Sequence, residues 1–379
     1  MIRRRSLITV AVLVLAWTLV QAQDMGFRGQ LSTWASWIDE GSKAQVGGRY
    51  IGELSLADDL SPTWQLNGEA AFDAHGSGLI DDLNDMEGNG DIDPYRLWLR
   101  LATPQFEARA GLQKISFGSA SLLRPLMWFD TLDPRDPLQL TDGVYGLLGR
   151  YTFLNNANIW LWGLYGNDDL RGWETIPTDE DEIEWGGRMQ VPLGTGELGL
   201  SYHHRQADPS RAVFGAVNPE QGVFPEDRLG LDGKWDVLVG LWFEGTVMRQ
   251  ELESPESRYR RQLTVGSDYT FDVGNGYHLL GEHFISEVAE KAMGDGDSRS
   301  ISALSCNYPW SLFDTVTAFV YYDWEGDTWS PFLEWRRTYD QWRIHVSAFR
   351  TEDESRPERG ANESGLVGNG VRVMLVFNH

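Results

Sequence analysis

From Phe27 to Phe377 the chain is dominated by alternating apolar and polar positions. In YRLWLRLAT, Tyr95, Leu97, Leu99 and Leu101 fall on one side, with Arg96, Trp98 and Arg100 on the other. Phe106, Ala108, Ala110 and Leu112 oppose Glu107, Arg109 and Gln113. Leu263, Val265, Tyr269 and Phe271 oppose Gln262, Thr264, Asp268 and Thr270. A period of two is the strand period. Eighteen such segments can be marked, at approximately 26–38, 44–57, 61–74, 92–103, 105–116, 143–154, 157–167, 183–193, 196–206, 226–236, 237–250, 258–272, 276–289, 299–309, 311–323, 327–338, 341–350 and 369–378, with sixteen as the alternative count. Most are 10 to 15 residues long, where a soluble strand averages about five or six and a tilted membrane-spanning strand needs about nine to eleven.

The connections are of two kinds that take turns. Thr103-Pro104-Gln105, Asn155-Asn156, Gly194-Thr195-Gly196 and Pro309-Trp310 have hairpin-turn chemistry. Between them lie longer, mostly acidic loops at 75–91, 117–142, 168–182, 207–225, 290–298 and 351–368. Short turns at one rim and long loops at the other predict a transmembrane antiparallel up-and-down β-barrel, all-β, with apolar side chains facing lipid and polar ones a lumen.

One connection is unlike the rest. Residues 117–142, beginning FGSASLLRPLMWFDTLDPRDP, have no period and carry Leu122, Leu123, Leu126, Met127, Trp128 and Phe129. That is too much apolar surface for a loop in water, and long structureless segments in compact chains are usually functional. The expectation is a loop folded into the lumen, leaning its leucines and aromatics on the inner wall. It would present Arg124, Asp130, Asp133, Arg135 and Asp136 to the channel, facing pore-wall residues Arg96, Arg100, Glu107, Arg109, Arg150 and Arg188. Guanidinium groups offer forked donors to carboxylates and sugar hydroxyls, and opposed charges in a narrow waist set ion preference. The same charges could equally be ion pairs holding the loop to the wall.

Arg3, Arg4 and Arg5, the apolar run Leu7 to Val20 and Val20-Gln21-Ala22 read as a secretory signal peptide over residues 1–22. The single barrel domain is then 23–379. Cleavage would take the formal charge from −24 to −27 by removing those three arginines. A chain so acidic excludes nucleic acid as a partner, and the lone Cys306 excludes an intramolecular disulfide. The carboxylates of DDLNDMEGNGDID lack EF-hand spacing, so no metal is expected, nor any other cofactor. His203, His204, His278, His283 and His345 form no catalytic pattern with serine and carboxylate, so no enzyme activity is expected. Trp235, Phe271 and Tyr308 beside short turns, and Trp34, Trp37, Trp185 and Trp329 near long loops, suit the two aromatic girdles of a membrane barrel.

The whole mature chain resembles a Gram-negative outer-membrane porin: the long inserted loop follows the fifth strand, as the porin constriction loop does. The closing VRVMLVFNH resembles the C-terminal strand of such barrels, although Asn378 and His379 follow the aromatic Phe377. ARAGLQKISFGSA and the proline-rich FDTLDPRDP are similar in style to alginate-export-like eighteen-strand channels. The resemblance implies an outer-membrane location, outer-membrane lipid and small hydrophilic solutes as partners, and leaves a homo-oligomer open. Three functions compete: passive diffusion of small hydrophilic solutes through a charged constriction, a selective channel for anionic or sugar-like solutes, and a secreted Trp-rich glycan-binding β protein.

Overall fold

The computed structural model describes residues 24–39, 43–82, 85–212, 222–252, 258–351 and 368–379; the segment read as a signal peptide lies outside them. The strands are β1 (Asp24–Ile38), β2 (Lys43–Asp59), β3 (Gln65–Asp82), β4 (Asp85–Ala102), β5 (Phe106–Gln113) and β6 (Val144–Thr152). They continue as β7 (Asn158–Leu164), β8 (Glu184–Leu193), β9 (Gly196–Ala207), β10 (Phe224–Asp236), β11 (Gly240–Gln250) and β12 (Tyr259–Phe271). The last six are β13 (Tyr277–Ala289), β14 (Asp297–Pro309), β15 (Asp314–Asp323), β16 (Thr328–Thr338), β17 (Trp342–Thr351) and β18 (Gly368–Asn378).

Each strand pairs antiparallel with its neighbours in sequence, and β1 pairs with β18, so the eighteen strands close into a ring. The pairing Leu31↔Phe377 belongs to that seam, which His379 extends through two backbone hydrogen bonds to Gly29 (2.8 and 2.9 Å). Asn156, Gly194 and Gly274 take φ of 65° in the short turns, the left-handed region that Asn and Gly adopt most cheaply.

The two faces sort as alternation predicts. Leu161, Leu229, Leu263, Leu304, Leu333 and Val373 are exposed on the outside. In the same strands Trp162, Arg228, Gln262, Ala303, Glu334 and Arg372 are buried toward the inside. An antiparallel sheet whose apolar rows point out and whose charged rows point in is stable only with lipid around it. Trp37, Trp185 and Trp329 lie on the outer surface, but Trp34 has the opposite parity from Trp37 and is buried within, so it is not part of the girdle.

One loop and two strands of the sequence reading differ in the structure. Residues 75–91 are mostly ladder: β3 and β4 run 18 residues each and pair as far as Asp82↔Asp85. That part is polar and glycine-rich, with Gly76↔Gly90 and Gly78↔Gly88 in register. A hairpin rising above the bilayer has no lipid-facing positions to fill, so the apolar alternation fades while the strand continues. Conversely, β5 and β7 are only 8 and 7 residues long, because the chain leaves the wall after each and turns inward.

Candidate functional site

The segment 114–143 between β5 and β6 crosses the lumen, and apolar burial seats its first half. Ile115, Phe117, Leu126, Trp128 and Phe129 pack on Val144, Leu148, Trp162 and Leu164 of β6 and β7. At the level of the loop β6 is apolar on both faces, Leu147 outward and Val144 and Leu148 inward, so the inner wall here is a greasy seat. Further along, Leu123 packs on Phe284, Ile301, Ala303 and Tyr321 of the opposite wall. Each such side chain stabilises the seating by about 1.5–3 kcal/mol.

The far wall also supplies acceptors for the loop's backbone. Glu282 on β13 accepts from the amides of Ser121 (2.7 Å), Leu122 (2.9 Å) and Leu123 (2.7 Å). Glu244 on β11 accepts from Ala120 (2.9 Å) and Leu126 (2.5 Å). Thr264 donates to the Leu123 carbonyl (2.6 Å), and Ser119 to Asp232 (3.0 Å). Buried amides need partners, and these carboxylates serve a segment too irregular to satisfy itself. Gly118 fits because its φ of +106° brings the chain against Glu244, whose carboxylate would lie 2.3 Å from a Cβ.

The five loop residues expected at the channel divide. Arg124 and Asp130 form a two-pronged pair (2.9 and 3.2 Å), and Asp130 is 1% exposed, so both are spent inside the loop. Arg135 binds Asp133 (2.8 Å) and reaches Thr351 at the end of β17 (3.2 Å). Asp136 accepts from the amides of Leu138 (3.0 Å) and Leu140 (2.9 Å). Its burial nonetheless pushes its carboxyl above the ordinary aspartate range. Leu138 rests on Trp34, Met374 and Val376, so the loop reaches the β1–β18 seam before it returns.

The six wall residues divide too. Arg96, 7% exposed, donates to the Thr141 carbonyl (2.7 Å) and ties down the returning leg. Arg188 makes a forked pair with Asp232 (2.6 and 2.9 Å) under the Phe117 ring. Glu107 holds Arg100 (2.9 Å) and Arg109 (3.0 Å). Arg150 lies 3.8 Å from the centre of the Trp160 ring. Arg100, Arg109 and Arg150 thus remain on the lumen wall, the first two sharing one carboxylate.

Sequence reasoning missed a second inserted loop. Residues 168–182 read as an acidic outer loop, yet in the connection 165–183 between β7 and β8 Arg171, Glu174, Ile176 and Thr178 are all at most 5% exposed. The loop docks on the first: Gly172 donates to the Asp130 carbonyl (3.1 Å) and Trp173 to the Arg124 carbonyl (2.8 Å). Beneath it, Arg171 binds Glu184 (2.7 Å), Arg205 binds Glu226 (2.6 Å), and Arg228 binds Glu174 (2.7 Å) and Glu226 (2.5 Å). Three arginines face three glutamates in direct pairs, and a fourth, Arg260, donates to the Trp173 carbonyl (3.0 Å) beside them. Trp173, Ile176 and Pro177 were the signal, apolar residues inside an otherwise acidic stretch. Gly172 has φ of +51°, and a Cβ there would lie 1.6 Å from the Met127 carbonyl oxygen. Gly172→Ala is therefore expected to unseat this loop, seen as faster trypsin cleavage at Arg171 in the refolded barrel.

Two adjoining cavities of about 270 and 450 Å³ lie beside the returning leg, the first against β1 to β4 and β18, the second against β3 to β6 and the second inserted loop. The first is lined by Asp73, Asp133, Asp136, Asp142 and Asp169 together with Arg49 and Arg372; Asp73 is paired with Arg49 (3.1 Å) and Asp133 with Arg135 (2.8 Å).

The chain matches no protein-family model, and no curated protein matches it in sequence. Solved structures do resemble it. Pseudomonas aeruginosa OccK5 (OpdH) superposes with a TM-score of 0.56 at 11% identity, over 94% of this chain and 98% of that one. Acinetobacter baumannii OccAB1 gives 0.55 at 11% identity, over 94% and 97%. OmpT, an outer membrane protein of Vibrio cholerae in its trimer form, gives 0.52 at 10%, over 94% and 99%. With the closed antiparallel ring, these likenesses show the fold of the Gram-negative outer-membrane porins.

Proposed function

We propose that the chain is an outer-membrane porin that admits small hydrophilic solutes through a charged constriction. The observation that carries this reading is the inserted loop, bolted to the far wall by Glu244 and Glu282 within a ring whose apolar rows face outward. A glycan-binding protein free in water would leave those rows uncovered. The anion-track reading is the weaker one, because Arg96, Arg124 and Arg188 are consumed by internal partners and the open cavity is rich in aspartate. Rings of charge set ion preference, so the constriction favours cations.

Planar-bilayer recording of the refolded mature chain tests both statements. Asp142→Asn with Asp169→Asn should move the reversal potential in a KCl gradient toward anions, and Arg100→Ala with Arg109→Ala toward cations. Ohmic channels whose reversal potential ignores both pairs would remove the charged constriction from the reading. Absence of channels would remove the porin.

A further inference from the structure

Among the described residues the upper half of β4 has a strand neighbour on one side only. β5 pairs with Leu97 to Ala102 and leaves for the lumen after Gln113, while β4 reaches up to Asp85. β3 accompanies that upper stretch along one edge, as far as Asp82↔Asp85. Along the other edge no backbone hydrogen bond reaches residues 85–94 from any described residue. Alternate N–H and C=O groups of an edge strand point away from its partner. Gly88 to Pro94 are exposed, so this edge lies open to water above the bilayer. Pro94 offers no N–H, which places the usable stretch above it.

The register decides what would fit there. Ala74, Gly76 and Gly78 of β3 share one face of the hairpin with their partners Ile92, Gly90 and Gly88. That face is bare apart from Ile92, which is 71% exposed. A Cβ at Gly88 would meet only the Ser77 carbonyl oxygen, at 3.7 Å, so nothing in the hairpin itself demands glycine. The opposite face carries Asp91 and Asp93, beside the Asp73 that Arg49 already holds (3.1 Å). Residues 81–93 include six carboxylates and no lysine or arginine. A strand added at the edge sets alternate side chains over each face. Apolar ones would cover the glycines and Ile92, and cationic ones would lie beside the aspartates. We propose that the open edge of β4 docks, by strand addition, an extended peptide segment of a partner protein in which basic and apolar residues alternate. This docking depends on the barrel fold and is independent of what crosses the pore.

Binding is measured with the refolded barrel in micelles and a fluorescent, amidated eight-residue peptide that alternates lysine and valine. Anisotropy should show saturable binding, and hydrogen exchange should slow at residues 86–93. Exchanging the lysines for glutamate should weaken binding at least about tenfold, because like charges then lie side by side. Methylating backbone nitrogens separates strand addition from loose attraction. Only one alternate set of peptide N–H groups faces the edge, so methylation on the lysines and methylation on the valines should differ at least about tenfold in affinity. Equal affinities for the two methylated peptides, or no saturable binding at all, would overturn the docking site. So would slowed exchange confined to the inserted loop 114–143. Slowing at 86–93 that grows with barrel concentration in the absence of peptide would assign the edge to a second copy and overturn the peptide partner.

Discussion

Replacing Glu244 and Glu282 together by alanine is expected to raise single-channel conductance severalfold and to make the open current noisy. These two carboxylates accept five amide hydrogen bonds from residues 120 to 126. A hydrogen bond to a charged group contributes about 1.5–3 kcal/mol, and a buried donor left without a partner costs a similar amount. The apolar contacts of Leu123, Leu126, Trp128 and Phe129 would remain, so the loop should leave its seat in bursts rather than permanently. Deletion of residues 122–138 marks the upper limit of the effect. Steady wild-type conductance in both variants would mean that this loop does not narrow the path.

The second large effect concerns stability. Glu226→Ala is expected to lower stability by about 3–5 kcal/mol, the cost of leaving buried charges without their partner. Glu226 is fully buried and accepts from Arg205 (2.6 and 3.0 Å), Arg228 (2.7 and 2.5 Å) and Gln250 (2.6 Å). Its loss leaves three arginines facing two glutamates in a dry compartment, and the loop carrying Arg171 and Glu174 is built on that compartment. Urea unfolding in micelles, followed by the heat-modifiable migration typical of barrels, would show the lowered midpoint. An unchanged midpoint would mean that water already reaches Arg205 and Arg228.

The barrel was readable because its signal is periodic: Leu97, Leu99 and Leu101 against Arg96 and Arg100 define two faces without knowledge of any partner. The inserted loop was readable for the opposite reason, since Leu123, Trp128 and Phe129 break every period and need cover. The pairing of charges was not readable. Nothing local distinguishes Arg188, neutralised by Asp232 forty-four residues away, from Arg150, which lies against the Trp160 ring. For Glu244 and Glu282 inward parity is all that sequence reports; their service to loop amides depends on a segment more than a hundred residues earlier. The inward aromatics Phe319, Phe332 and Phe349 show the same limit, because alternation separates faces but does not guarantee that the lumenal one is polar.

The unequal wall has a consequence for the surrounding bilayer. β7, with 7 residues, reaches only about 23 Å along its own length, and its tilt leaves less than the apolar band of roughly 25 Å typical of such barrels. Its counterparts β3 and β4 overshoot that thickness by a wide margin. Lipid beside the low wall must therefore compress, or the whole cylinder must lean toward it, and a neighbouring protein that relieves this mismatch would settle there first.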